Sequence, residues 1–214
     1  MPNSIYEAIW GRTCAAFYDS SMATAENRGL RKFRQELLSK TTGRVVELGA
    51  GTGLNIAHYP PAVRELILTE PDKFMAMKLR KRVELESTHI SIRQVSANEL
   101  PFEDSSVDSV VSTLVLCSVP DPDATLKEVA RVLRPDGKFF FIEHVRSEDP
   151  GLARWQDRFN KLWSLYAHGC NCNRDTIKAI ERSPLNVSEL RKESLHSILP
   201  LVRPLIVGQV SRDI

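Results

Sequence analysis

The chain has 214 residues, 42% of them hydrophobic and 26% charged, with a formal net charge of +2. This length supports one sizeable core, the composition is that of a globular protein, and a near-neutral charge offers no basic face to nucleic acid. Cys14, Cys117, Cys170 and Cys172 form no C-x-x-C or zinc-finger spacing. "MPNSIYEAIWGR" does not read as a signal peptide, so the expectation is a cytoplasmic protein with reduced thiols and no metal. No apolar run nears the roughly 20 residues of a membrane span, which leaves peripheral contact with a membrane surface open.

The first 40 residues read as amphipathic helix, with Ile5, Ile9, Ala16, Phe17, Leu30, Phe33, Leu37 and Leu38 at helical spacing until Thr41-Thr42-Gly43 breaks the pattern. Strand and helix signals then alternate. "RVVEL" (44–48) is a buried strand, followed by a glycine loop and a short helix. "ELILTE" (65–70) is a strand and "DKFMAMKLRKRVELE" (72–86) a basic helix. "ISIRQV" (90–95) and "VDSVVSTLVL" (107–116) are strands, the second apolar enough to be covered on both faces. "DATLKEVARVL" (123–133) is a helix closed by "RPDG", and "KFFFIEHV" (138–145) is a fifth strand. "GLARWQDRFNKLWSLYAHG" reads as another helix, and "NVSELRKES" and "VRPLIVGQV" as two late strands. Strand–helix alternation predicts a Rossmann-like, doubly wound α/β sheet whose ligands bind beyond the carboxyl ends of the strands. Two late strands without a crossover helix predict an antiparallel last strand, making seven in all. No repeat, low-complexity tract or linker interrupts the chain.

"VVELGAGTGLN" (45–55) places Gly49, Gly51 and Gly53 directly after the first strand. Glycine is worth its entropy where backbone turns sharply or approaches a ligand closely. The spacing is one residue shorter than the dinucleotide G-x-G-x-x-G, yet the acid expected about 20 residues on is present as Glu70. That carboxylate suits the two hydroxyls of a ribose. The competing readings are Glu70 as a cap of the next helix and Glu47 as an exposed strand-end acid.

In order over residues 43–145, "VVELGAGTG", Glu70, "SANELPFEDSSVDSVVS" and "EVARVLRPDGKFFFIEH" resemble the class I S-adenosylmethionine-dependent methyltransferases. The similarity is to their small-molecule branch, which includes the quinone-biosynthesis enzymes. "TLVLCSV" and "HGCN" narrow it to the small alkyl-thiol methyltransferases, with a weaker likeness through residues 150–182. The resemblance implies S-adenosyl-L-methionine as cofactor and S-adenosyl-L-homocysteine as product. It places Glu47 near the methionine amino group and Asn55 at the end of the loop. Gly49, Ala50, Gly51 and Gly53 pass the methionine and ribose, Glu70 and Pro71 meet the ribose, and Ala97 and Asn98 edge the adenine. Ser96 stands where the family often has Asp. Leu114 to Cys117 line the reacting end. The resemblance divides one methyltransferase domain, 1–214, into a helical cap (1–40), a cofactor-binding core (43–145) and substrate-side helices with the final strand pair (146–214). Those thiol enzymes begin with a hydrophobic anchor that the opening residues of this sequence do not resemble, so a membrane location is not among the expectations carried over.

Methyl transfer is an in-line displacement that needs alignment, a dry site and a nucleophile in the right protonation state. "STLVLCSVPDPD" lacks the Asn/Asp-Pro-Pro-aromatic motif of amine-methylating relatives, which argues against DNA or protein amines. A thiol, with a pKa of about 8.5, ionises more readily than a phenol of about 10. His144 is the candidate to assist, with His168 second. Cys117 is either a pocket residue or a small buried hydrophobe. Leu152, Trp155, Phe159, Leu162, Trp163 and Tyr166 form a stripe that serves as core, as a lid over the pocket, or as a membrane-facing surface. The expected activity is methylation of a small apolar molecule, first at thiol sulfur and otherwise at phenol oxygen, quinone carbon or a lipid-like acceptor. A non-catalytic cofactor-binding subunit and a dinucleotide oxidoreductase are the competing classes.

Overall fold

β-Branched runs make the centre of the molecule: Val45, Val46, Val110 and Val111 are all fully buried. The computed structural model describes residues 5–85, 89–196 and 198–212, so Glu86 and the first four residues of the expected cap lie outside the described residues, as does the side chain of Ile5. Strands β1 (Gly43–Leu48), β2 (Val63–Thr69), β3 (Ile90–Arg93), β4 (Val107–Thr113), β5 (Leu133–His144), β6 (Leu185–Ser194) and β7 (Pro204–Arg212) form a seven-stranded sheet in the order β3-β2-β1-β4-β5-β7-β6. The first five strands pair in parallel, and β7 runs antiparallel between β5 and β6. Strand order reverses between β1 and β4, which opens a crevice at their carboxyl ends.

Helices α1 (Ile5–Ala25), α2 (Arg31–Leu38), α3 (Lys73–Val83), α4 (Pro122–Val132), α5 (Pro150–Tyr166) and α6 (Thr176–Arg182) surround the sheet. Leu126, Val129 and Ile180 of α4 and α6 pack on Val46, Val110, Phe139 and Phe141, while Leu37, Leu38 and Leu79 of α2 and α3 cover Val45, Leu68, Val111 and Phe140 on the opposite face. Asp72, Asp121, Asp149 and Asp175 each cap a helix by accepting backbone N–H groups, fixing where α3 to α6 begin.

Three departures from the sequence pattern bear on the site. β4 stops at Thr113 rather than running to residue 116, because Leu114 takes a left-handed φ of 61°. β5 begins at Leu133, with Arg134–Gly137 bulged between the pairs Val107↔Leu133 and Ser109↔Lys138. The N-terminal helix buries a different face from its apolar spacing: Ile9 and Phe17 are 61% and 66% exposed, while Gly11 and Ala15 are buried. Small residues bring α1 close to α3; a β-carbon on Gly11 would lie 3.0 Å from the Phe74 ring. A π-turn, Glu26–Leu30, with Gly29 at φ 134°, then redirects the chain into α2.

Candidate active site

The glycine loop leaves β1 and curls back at the switch point. Gly49, at φ 53°, has room only for hydrogen, since a β-carbon would meet Val115 at 2.9 Å. Gly51 faces the other way, with nothing nearer than 4.0 Å to such an atom. The loop thus packs on the β4 side and opens on the cleft side.

Two buried carboxylates flank it. Glu70 accepts the Gly51 and Asp72 N–H groups, both at 2.8 Å; burial raises its pKa against the pull of those two amides. Asp72, rather than Glu70, caps α3. Glu47 is 2% exposed, not a surface acid. It accepts Asn55 Nδ2 at 2.9 Å and the Tyr59 hydroxyl at 2.7 Å, and burial pushes its pKa up to about 7. Asn55 also donates to Thr113 Oγ1 at 3.0 Å and accepts Arg34 at 2.7 Å, so one amide ties β1, β4 and α2 together.

Arg34 was not legible as a site residue. It is 4% exposed and ion-paired through Nε with the equally buried Glu26 at 2.9 Å. Together with Tyr18, Glu47, Gly49, Ala50, Gly51, Leu54, Asn55 and Thr113 it lines a cleft beside the glycine loop. Tyr18 comes from α1, and burial pushes its phenol up to about 12. Its neighbour Asp19 accepts Thr52 Oγ1 from the loop and Arg82 at 2.7 Å from α3. The available signal was a charged pair, Glu26 and Arg34, interrupting an apolar helical stripe. A guanidinium and a carboxyl group facing one cleft suit a zwitterionic amino-acid tail, and the second carboxyl group, Glu70, holds the N–H of Gly51 at its edge. These residues fit S-adenosylmethionine. Among the other expected cofactor contacts, Pro71 is exposed beside Glu70. Ala97 is buried, and the Asn98 side-chain oxygen accepts Thr125 at 2.7 Å instead of pointing free.

Beyond β4 and β5, where the reacting end is expected, two loops, 114–119 and 167–175, bond to each other. Glu143, at the end of β5, accepts Ser112 Oγ at 2.6 Å and the Val115 and Cys117 N–H groups at 3.0 and 3.4 Å. Burial pushes its pKa up to about 7. A lone acid inside "FFFIEH" was its signal. Side chains alternate across a strand, so the adjacent His144 shares the face of Phe140 and Ile142 and not that of Glu143. The His144 ring bonds the Val202 carbonyl, and burial pulls its pKa down to about 4, leaving it neutral. This departs from the expectation that His144 assists ionisation of an acceptor: burial makes it a weak base, and strand alternation turns it to the face opposite Glu143.

His168 lies at φ 50° and reaches Asp72, Nε2 to Oδ2 3.4 Å, so it meets the carboxylates beside Glu70 and not the 114–117 wall. Trp155 is likewise corrected as a pocket residue. It is 59% exposed and stacked on Phe159 at 5.0 Å, because α5 turns Ala153 and Gln156 inward. Gln156 donates to Cys172 and Leu201 carbonyls at 2.8 and 2.9 Å and accepts the Ser147 N–H at 2.7 Å. The aromatic stripe is therefore largely surface. Cys117, in the first of these loops, is 1% exposed, and the indole nitrogen of Trp163 is buried without a hydrogen-bond partner. Among the described residues no helix is long and apolar enough to cross a membrane, and no group of three His, Cys, Asp or Glu side chains is placed to hold a metal.

A glycine loop, a ribose-type acid and a 3-2-1-4-5-7-6 sheet define a Rossmann-like methyltransferase fold, and the methyltransferase domain family matches residues 46–141. The chain is 37% identical over 167 residues to thiol S-methyltransferase TMT1A of Homo sapiens, covering 77% of this chain and 68% of that one. Human thiol S-methyltransferase TMT1B is 34% identical over 200 residues, with 86% and 81% covered. A geranyl diphosphate methyltransferase solved in complex with S-adenosylmethionine shares the fold at a TM-score of 0.67 and 14% identity, over 87% of this chain and 85% of that one. The chain belongs to the S-adenosylmethionine-dependent methyltransferase family that contains these thiol S-methyltransferases.

Proposed function

We propose that this chain transfers the methyl group of S-adenosylmethionine to the sulfur of a small apolar thiol, as one methyltransferase domain over residues 1–214. Bound in the cleft, the cofactor supplies an electrophilic methyl on a sulfonium sulfur. Glu70 accepts both ribose hydroxyls, and its two backbone partners hold the carboxylate still for that task. Glu47 and Arg34 face the amino and carboxylate groups of the methionine tail. Ala97 and Asn98 edge the adenine. Tyr18 and Asp19 hold α1 over the loop, which keeps water from the reacting centre.

The observation that carries the acceptor reading is the wall from Leu114 to Cys117, whose N–H groups are partly spent on Glu143. Its partly exposed side chains, Leu114 and Val115, are apolar and offer no cradle for an amine. Such a wall suits a soft, weakly hydrated nucleophile. A thiol near pKa 8.5 is partly ionised without a strong general base, in keeping with a neutral His144. The two thiol S-methyltransferase relatives support the same choice.

Incubation with labelled S-adenosylmethionine and matched panels of thiols, phenols and quinols tests this. The expected outcome is transfer to alkyl or aryl thiols, rising with pH until thiolate predominates. Faster transfer to a phenol, quinol or lipid-like acceptor than to every thiol refutes the sulfur assignment. Tighter binding of a nicotinamide dinucleotide than of S-adenosylhomocysteine refutes the cofactor.

A further inference from the structure

The chain that follows β4 is shaped from outside. The Leu114 N–H still pairs with β5, donating to the Ile142 carbonyl at 2.7 Å, and a left-handed φ of 61° then takes the chain off the sheet. The Ser118 and Val119 N–H groups close one helical turn on the Val115 carbonyl at 2.8 and 3.0 Å. A single turn does not hold itself, because nucleation costs more than one or two hydrogen bonds return. Its ends are held by other elements instead. Glu143 of β5 accepts the Val115 and Cys117 N–H groups at 3.0 and 3.4 Å. Arg174 donates to the Leu116 and Val119 carbonyls at 2.7 and 2.6 Å, and the Asn171 N–H to the Cys117 carbonyl at 2.8 Å. An acid on the N–H end and a cation on the carbonyl end satisfy the groups that a helical turn leaves open.

This turn borders the cofactor cleft. Thr113, the residue before it, lines the cleft and accepts Asn55 at 3.0 Å. Val115 lies against Gly49, where a β-carbon would meet its two methyl groups at 2.9 Å. Among the described residues neither Glu143 nor Arg174 has an ion-pair partner. Glu143, fully buried, spends its carboxyl group on Ser112 and the turn, and Arg174 spends its guanidinium on the turn. A buried acid without a cation is costly, and its pKa of about 7 records that cost. Stability alone is served as well or better by apolar side chains in such a place. The cost is accounted for if the position of the turn matters.

We propose that Glu143 and Arg174 are positioning residues, which together fix the 114–119 turn against the cofactor cleft so that an acceptor sulfur stands in line with the methyl group, and which thereby set the size of acceptor the enzyme prefers. That role rests on the proposed function. Each residue acts through Leu114 and Val115, the partly exposed residues of the turn beside the cleft. Leu114 packs with the core on the α2 and α3 side of the sheet and Val115 with the core on the α4 and α6 side, so a shift of the turn moves both. In-line displacement tolerates little of this, since about 1 Å of misplacement costs about 10²-fold in rate. The holding groups come from β5 and the 167–175 loop, and neither Glu143 nor Arg174 lines the cleft beside the glycine loop. Loss of either should therefore change which acceptor is used and leave the cofactor held.

The test is an internal competition. The full chain, S-adenosylmethionine and equal concentrations of n-propyl and n-hexyl thiol react together, and the two thioethers are quantified early in the reaction. Their ratio is the ratio of the two kcat/KM values. It does not depend on how much enzyme is folded, so a merely structural role cannot move it. Arg174→Met and Glu143→Gln should each slow total transfer by about 10²-fold. Both should shift the product ratio in the same direction by about tenfold or more, the worth of a methylene or two in an apolar pocket. Arg174→Lys, which keeps a cation for the two carbonyls, should restore most of the ratio. S-adenosylhomocysteine affinity, measured by calorimetry, should stay the same in all three. Amide exchange over residues 114–119 should quicken in Arg174→Met, with that of residues 45–53 unchanged. An unchanged product ratio, opposite shifts in the two variants, or unchanged exchange overturns the positioning role. Cofactor binding that weakens in step with the rate also overturns it, by giving the turn to the cofactor. If phenols or quinols outrun every thiol, the sulfur assignment fails, and the same competition between a short and a long alkyl phenol decides the positioning role. A wild-type chain that methylates no acceptor refutes the proposed function and the positioning role with it, while exchange still decides whether the two residues hold the turn.

Discussion

In the half of the cleft behind β1 and β2, polar groups find their partners nearby in the chain. Glu70 bonds residues 19 and 2 positions away, and Glu47 residues 8 and 12 positions away. At the acceptor end Glu143 reaches back 31, 28 and 26 positions, and Arg174 reaches 58 and 55. The first half is one strand–loop–strand unit that shapes itself and serves an invariant ligand. The second is a seam between distant loops, with left-handed backbone at Leu114 and His168 on its two sides. Arg34, Tyr18 and Asp19 are exceptions, because they bring the N-terminal helices into the local half, and the Asn55–Thr113 bond is another, spanning 58 positions to β4.

Four substitutions probe that contrast. The largest effect belongs to Arg34→Met, which strands the buried Glu26 carboxylate and should cost about 3–5 kcal/mol of stability in urea unfolding. Restoration of most of that loss by adding Glu26→Gln is the expected signature; a loss under about 1 kcal/mol would mean the pair is not buried in solution. Glu70→Ala should leave the fold in place and weaken S-adenosylhomocysteine by about 10²-fold, the loss of bonds to a charged acceptor worth about 1.5–3 kcal/mol each. Unchanged affinity in calorimetry removes Glu70 from the site.

At the acceptor end, Glu143 tests through pH. Its folded pKa of about 7 lies above the ordinary 4.5, so the native state holds the proton more tightly than the unfolded chain. Stability therefore falls as pH rises from 4.5 to about 7 and levels above that. Glu143→Gln should remove on the order of 2–3 kcal/mol of that fall, while the similar contribution of Glu47 remains. Denaturation midpoints measured below and above this window give the difference, and an unaltered slope contradicts the buried charge. The smallest effect is expected from His144→Ala, with methyl transfer reduced less than about tenfold, below the 10²–10⁴ of a positioned acid–base group. A larger loss, with a shifted pH profile, would return His144 to the chemistry.

The strands, their order of appearance and the glycine loop were legible because each is written locally: β-branched runs, a turn that only glycine can make, and an acid at the next strand end. Glu47, Gly49 and Gly51 line the cleft for that reason, with Glu70 bonded to Gly51 beside it. His144 was misread by one position: strand parity, which depends on the β5–β7 pairing, presents Glu143 to the 114–117 loop and His144 to Val202. The α1 and α5 stripes were misread because periodicity says which residues share a face and not which face is buried. Gly11 and Ala15 allow α1 to approach α3, and Gln156 finds buried carbonyls from three segments, so the larger side chains of both helices turn outward. The amino-acid sequence by itself thus determined the sheet and the cofactor loop, whose interactions are short in chain distance. Only the tertiary structure decided Arg34, Glu143 and the seam in which Asn171 and Arg174 hold the Leu116, Cys117 and Val119 carbonyls, because each depends on closing long stretches of chain, and local side-chain patterns carry no record of what lies across them.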